Sequence, residues 1–312
     1  MKPFRFLVDV REPVSAQELG ERARHAEAVG FHAVVIPDHL IDQLSPVPAM
    51  AVVAATTKRI RFSAFVLNND LRHPAVLAQD LASLDVLSGG RLDVAIGAGW
   101  NMAEYDAVGI PFAPGPTRVA RLEEAVQVLK GCFADDPFTF AGEHYRITDY
   151  DARPKPVQRP HPPFMIGGGQ RRILSFAARE AQIVGLAPTV GPPGADQPTR
   201  FTRASVEQQV AWVRAAAGER IDELTLNIYP SSFPVTVTDN ARGEARRAAA
   251  VLRQRGVELT EDEVLASPYL YIGSQEGLAE KFVALREELG ISSFMVGEPG
   301  PLDDLVERLA GT

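Results

Sequence analysis

LSGGRLDVAIGAGWNMAEY, residues 87–105, decides how the rest of the chain is read. Ser88-Gly89-Gly90 is a turn signal, Leu92 to Ile96 is a short apolar run, and Gly97 and Gly99 close it ahead of Trp100. A short apolar run bounded by turn residues predicts a buried strand. Glycines at its exit let the backbone come close to a neighbour, often a ligand.

Working outward, strands and helices alternate. Strands are predicted at Phe4–Val10, Ala33–Ile36, Ile60–Leu67, Leu92–Ile96, Pro163–Ile166, Gln182–Leu186, Glu223–Ile228 and Ile291–Val296. Ser15-Ala-Gln-Glu18 forms a capping box, with Val14 and Leu19 as a hydrophobic staple, and predicts a helix that Gly30 ends. Further helices are predicted from about Pro74 to Leu87, from a cap at Thr117, from about Gln170, and over Leu302–Leu309. Phe138 to Ile147 reads as a hairpin around Ala141-Gly142. Eight buried strands, each followed by a helix, predict an α/β fold with a parallel sheet that closes into a (β/α)8 TIM barrel. An open doubly wound sheet is the alternative. The expected organisation is a single domain over residues 1–312, with insertions near 188–203 (Pro- and Gly-rich) and 239–267, where Thr260-Glu-Asp-Glu263 is a second capping box.

The 312 residues are 46% hydrophobic and 23% charged, enough for a large core. A net charge of −8 argues against a nucleic-acid surface, which needs a concentrated basic footprint. The single cysteine, Cys132, cannot form an internal disulfide, which fits a cytoplasmic setting. The start, MKPFRFLVDV, does not read as a signal peptide, and no stretch reads as a spanning helix, so no membrane partner is expected.

In a barrel the chemistry sits where the strands end. Five polar clusters follow strands and are expected to converge on one mouth: Asp9 with Arg11, Pro37-Asp38-His39, Asn68-Asn69-Asp70, Gly97-Ala98-Gly99-Trp100-Asn101, and Gly167-Gly168-Gly169-Gln170-Arg171. Asp38-His39 sets a carboxylate beside an imidazole that titrates near neutrality, suited to proton transfer; a structural histidine in a turn is the competing reading. Gly167–Gly169 ahead of a helix start suits an anion, because free N–H groups without Cβ atoms admit a phosphate; a tight turn is the alternative. Gly97-Ala-Gly99 lacks the third glycine of a dinucleotide fingerprint, since position 102 is Met. Asn68-Asn69-Asp70 is compatible with a plain turn. The histidines at 25, 32, 39, 73, 144 and 161 show no metal-ligand spacing, so no metal is expected.

The segments AEAVGFHAVVIPDHL (Ala26–Leu40), LRHPAVLAQDLASLDVLSGGRL (Leu71–Leu92), Arg153–Leu186 and Tyr271–Val296, together with residues 87–105, resemble the bacterial-luciferase-like flavin and deazaflavin oxidoreductases. The resemblance implies a (β/α)8 barrel with insertions, usually homodimeric, binding reduced FMN or coenzyme F420 and acting on a small-molecule substrate. Pro37-Asp38-His39 is similar to the F420-using branch, which implies that Asp38 contacts the deazaflavin ring and His39 is the catalytic proton carrier. It further implies a non-prolyl cis peptide within Leu67-Asn68-Asn69 behind the ring, cofactor contacts from Asn68, Asn69, Ala98 and Gly99, and a phosphate held by Gly167, Gly168, Gly169 and Gln170. Asp9 and Trp100 are expected to line the substrate pocket. The family's F420-dependent sugar-phosphate dehydrogenases carry a Glu where this chain has Trp100, which points away from their substrate; Glu104 lies one helical turn later. The implied activity is hydride transfer between F420 and an unidentified organic substrate. An FMN-dependent monooxygenase and a non-catalytic flavin- or F420-binding barrel are the alternatives.

Overall fold

The computed structural model describes residues 1–189, 201–230 and 233–312. Its strands in chain order are β1 (Arg5–Asp9), β2 (Ala33–Ile36), β3 (Arg61–Ala64), β4 (Leu67–Asn68), β5 (Val94–Gly97), β6 (Phe138–Ala141), β7 (Arg146–Tyr150), β8 (Phe164–Gly168), β9 (Ile183–Leu186), β10 (Thr225–Ile228), β11 (Thr236–Val237), β12 (Ile272–Gly273) and β13 (Ile291–Met295). Nine of them form one sheet in the order β3-β2-β1-β13-β10-β9-β8-β5-β4. The order returns on itself. Phe62 in β3 makes a parallel bridge with Leu92, just ahead of β5, through Phe62 N–H to Arg91 O (3.2 Å) and Asp93 N–H to Phe62 O (3.0 Å). This is the order of a (β/α)8 TIM barrel, with β3 and β4 sharing one place.

That shared place is the main departure from the predicted strands. Ile60–Leu67 is not continuous: a cis Phe65–Val66 peptide separates β3 from β4. The expected cis peptide at Leu67-Asn68-Asn69 is therefore corrected to a site two residues earlier.

The chain divides into two compact units. The first comprises Met1–Asp9, Ala28–His32 and Ile166–Thr312. Its core holds an aromatic cluster in which Phe282 lies 4.6 Å from Phe294 and 5.7 Å from Phe6, ring centre to ring centre, with Tyr271 edge-on at 5.1 Å. Each such side chain contributes about 1.5–3 kcal/mol by leaving water. Here Thr260 caps the helix Glu261–Ala266 with both arms of the capping box formed, as its sequence predicts. Most of the predicted insertion 188–203 lies outside the described residues; the helix Arg203–Ala217 follows it.

The second unit comprises Val10–Glu27 and Ala33–Met165. The helix Pro74–Ser88 ends at Gly89 in the left-handed conformation (φ +68°), so the glycines of the opening stretch are a helix stop before they are a turn. A helix over Pro46–Thr56 was not predicted, because PVPAMAVVAAT is apolar almost throughout and carries no 3.6-residue alternation. The helix expected from a cap at Thr117 begins at Gly115 instead, after Pro114 and with Pro116 in its first turn, where a missing N–H costs nothing. The hairpin is present as antiparallel β6 and β7. Glu124 anchors it by accepting the N–H groups of Glu143 (2.8 Å), His144 (2.9 Å) and Tyr145 (3.1 Å).

Candidate active site

In the second unit, β2 runs into Pro37-Asp38-His39, and β5 runs through Gly97-Ala98-Gly99-Trp100 into the short helix Met102–Val108. The imidazole of His39 meets the carboxylate of Glu104: Nδ1 and Oε1 are 2.8 Å apart. The Glu104 side chain is only 6% exposed, against 27% for His39. Asn101 donates from Nδ2 to the same Oε1 at 2.5 Å. Trp100 stands edge-on to the imidazole, with ring centres 5.6 Å apart and planes at 81°, while 72% of it remains exposed. A carboxylate–imidazole pair at the exit of parallel strands, with an open aromatic beside it, can move a proton next to a planar ligand.

A second network lies around Asp38. Its buried carboxylate receives both arms of Arg72, Nη1 to Oδ2 at 2.6 Å and Nη2 to Oδ1 at 3.0 Å. Asn68 N–H adds a third hydrogen bond at 2.9 Å. The planar guanidinium fork matches a carboxylate, which makes this the strong form of the pair. Asn68 in turn accepts from Asp70 N–H (3.1 Å) and from the Tyr105 hydroxyl (2.9 Å). Arg121 Nη1 lies 2.7 Å from Asp70 Oδ1. Asn69 donates to the Tyr145 hydroxyl at 3.1 Å. Burial pushes the Tyr105 phenol up to about 12, and the neighbouring Asp70 carboxylate adds to the rise. The phenol is thus fixed as a neutral donor at neutral pH.

The glycine pair is explained within the same network. A Cβ on Gly97 would lie 2.8 Å from Val66 Cγ2. Gly99 has φ +74°, and a Cβ there would lie 2.0 Å from the Tyr105 oxygen and 2.6 Å from Asn68 Oδ1. The close approach read from the sequence is therefore made, at these positions, to the protein's own side chains. Arg118 closes the loop with Nε 3.4 Å from Gly99 O and its guanidinium 3.9 Å from the centre of the Phe112 ring.

The first unit carries Asp9 and the glycine triplet. Asp9 is buried at the end of β1, its N–H bonded to Gly297 O at 3.1 Å. Gly167 and Gly168 extend β8 beyond the predicted Ile166, and Gly169-Gln170 leads into the helix Arg171–Glu180, whose N-cap Gln170 makes no side-chain cap. A Cβ on Gly168 would lie 2.3 Å from Ile173 Cγ2, and one on Gly169 would lie 2.7 Å from Ala187 O. Buried Gln209 donates to both Gly169 O (3.1 Å) and Ala187 O (2.8 Å) and accepts from the Tyr269 hydroxyl at 2.6 Å. The turn is held from behind through its carbonyls.

Of the residues singled out by sequence, the second unit joins His39 with Trp100, and Asp38 with Asn68, and places Gly99 against Asn68. Asn69 binds the hairpin, and Ala98 lies between the two glycines. Glu104, Arg72, Tyr105 and Gln209 were not predicted as site residues. Only Glu104 had a local signal, its spacing of three from Asn101 at a helix start. Among the described residues no group of three His, Cys, Asp or Glu side chains could hold a metal, and no helix is long and apolar enough to cross a membrane.

The model of the luciferase-like monooxygenase family matches residues 1–293. An FMNH(2)-dependent dimethylsulfone monooxygenase of Pseudomonas putida is 38% identical over 125 residues, 40% of this chain and 34% of that protein. An F420-dependent glucose-6-phosphate dehydrogenase of Kineococcus radiotolerans is 36% identical over 176 residues, 54% of this chain and 51% of that protein. The chain thus spans between about a third and a half of the length of these relatives. The structure of the coenzyme F420-dependent tetrahydromethanopterin reductase from Methanopyrus kandleri superposes with a TM-score of 0.77 at 19% identity, covering 98% of this chain and 96% of that one. The match along almost the whole chain and the barrel strand order lead to one conclusion: this chain belongs to the luciferase-like monooxygenase family.

Proposed function

We propose that the chain is an F420-dependent oxidoreductase that moves a hydride between coenzyme F420 and a small organic substrate. The observation that carries this reading is the His39–Glu104 pair, 2.8 Å apart beside an exposed Trp100. The similarity to the F420-dependent dehydrogenase over 54% of the chain supports the choice of cofactor. A deazaflavin has carbon at position 5 and supplies hydride transfer, so the protein's part is orientation and proton handling.

The residues present fit such a group. His39 and Trp100 are open enough to meet a planar ring. Asp38 and Asn68 direct their polar atoms to Arg72, Tyr105 and nearby backbone, so toward the ring they shape its bed with Asn69, Ala98 and Gly99. Separately, the N–H groups at Gly167–Gln170 suit phosphate oxygens. His39 gives a proton to a reduced substrate or takes one from an alcohol. Trp100 walls an apolar part of the substrate; separately, Asp9 is a polar residue proposed for substrate contact. The assembly proposed is a homodimer.

A second reading, an FMN-dependent monooxygenase, is favoured by the 38% identity to the FMNH(2)-dependent enzyme. Titrating the protein with F420 and with FMN, by fluorescence or calorimetry, separates the two. Micromolar or tighter F420 binding with feeble FMN binding supports hydride transfer. Preference for FMN overturns it and calls for an oxygen-consumption assay. Once a substrate is found, His39→Ala should lower turnover by about 10²-fold or more with cofactor affinity retained; unchanged turnover would remove His39 from the chemistry.

A further inference from the structure

We propose that Glu104 is the positioning residue of His39: its buried carboxylate keeps the imidazole proton on Nδ1 and leaves Nε2 as the nitrogen that exchanges a proton with substrate. The inference rests on the reading of His39 as the proton carrier and specifies which atom does the work. Glu104 stands at the position where the chain has left the strand and begun a helix, one turn beyond Trp100, and reaches back 65 residues in sequence to His39. Its Oε1 is 2.8 Å from Nδ1 and also takes the Asn101 amide proton. An ionised carboxylate only accepts, so the neutral ring facing it must carry its hydrogen on Nδ1. Free imidazole side chains prefer the opposite tautomer, with hydrogen on Nε2. Glu104 therefore reverses the intrinsic preference, and Asn101 and the edge of Trp100 hold the two groups in register.

The consequence is chemical. With an alcohol substrate and oxidised F420, the O–H bond breaks and its proton passes to His39 Nε2. Bound oxidised F420 would take up the hydride from the carbon, leaving a carbonyl. In reverse, the imidazolium returns the same proton from Nε2 to the carbonyl oxygen as hydride reaches carbon. In both directions Glu104 faces a ring whose Nδ1 stays protonated, so it moves no proton itself.

The test is a long-range proton–nitrogen NMR spectrum of the full chain labelled with nitrogen-15 histidine, without added cofactor, at a pH where His39 is neutral. His39 signals are assigned by their loss in His39→Gln. The wild type should show a protonated Nδ1 and a bare Nε2. Glu104→Leu should switch His39 to the Nε2–H form. Glu104→Gln should keep Nδ1–H, because Asn101 holds the carboxamide oxygen in the same place. A wild-type spectrum with Nε2–H overturns the proposal, as does Nδ1–H persisting in Glu104→Leu. Should Glu104→Leu not fold, the wild-type and Glu104→Gln spectra decide alone: Nδ1–H in both supports the proposal, and Nε2–H in either overturns it. The spectra need no cofactor, so failure to bind F420 would overturn the proposed function and leave this assignment standing. The wrong tautomer would do the reverse.

Discussion

Replacing Gly99 by Ala tests whether the glycine exit of β5 is shaped by the Tyr105–Asn68 hydrogen bond. Two costs arise. The backbone at φ +74° is left-handed, which costs a residue with a Cβ about 1–2 kcal/mol. The new methyl would sit 2.0 Å from the Tyr105 oxygen and 2.6 Å from Asn68 Oδ1, so the 2.9 Å bond between them must open. The Tyr105 hydroxyl keeps Asp70 Oδ2 as an acceptor at 3.2 Å, so the loss is that of one hydrogen bond, about 0.5–1.5 kcal/mol more. The expected loss in unfolding free energy is thus about 1.5–3.5 kcal/mol, measured by urea denaturation. The decisive control is the cycle with Tyr105→Phe, which removes the oxygen the methyl would strike. Both single variants lose the same hydrogen bond, so the double variant should be at least about 1 kcal/mol less destabilised than the sum of the singles, beyond the ~0.5 kcal/mol within which independent sites add. Additive costs, or a Gly99→Ala loss below about 1 kcal/mol, would refute the account of the glycine.

Two further outcomes follow from the same network. Arg72→Met leaves the buried Asp38 carboxylate with only the Asn68 N–H, and should destabilise by about 3–5 kcal/mol in urea unfolding; a loss under 1 kcal/mol would mean that water replaces the guanidinium. Tyr105, lifted to about 12 from an ordinary value near 10, holds its proton more tightly when folded, so its stabilising contribution is complete below pH 10 and is lost as pH rises through 12. Comparing stability between pH 9 and pH 12, Tyr105→Phe should show a shallower decline than the wild type; equal slopes would deny the shift.

The parts legible in the sequence are those written in local patterns. The strand Ala33–Ile36, the Thr260 capping box and the hairpin were read from neighbouring residues and stand as read. Local reading failed where packing or steric detail decides. Pro46–Thr56 is helical although its apolar character gives no periodicity to recognise. The break between β3 and β4 sits inside an unbroken run of strand-forming residues. At the candidate site the strand-end residues could be named, because a parallel sheet sends them to strand exits. Their partners could not, since His39–Glu104 and Asp38–Arg72 join positions 65 and 34 residues apart. The roles of Gly99 and Gly169 were equally hidden, because what fills the space at each glycine belongs to another segment.

The brace behind the glycine turn has a consequence for how this fold can change. Gln209 holds Gly169 and Ala187 through main-chain carbonyls, and Tyr269 steadies Gln209 from the far side. Carbonyls are common to all residues, so the fastening is indifferent to which side chains follow Ala187. The side chain that follows Ala187 can therefore be exchanged, by evolution or by an engineer, while the turn stays anchored to the helix that carries Gln209.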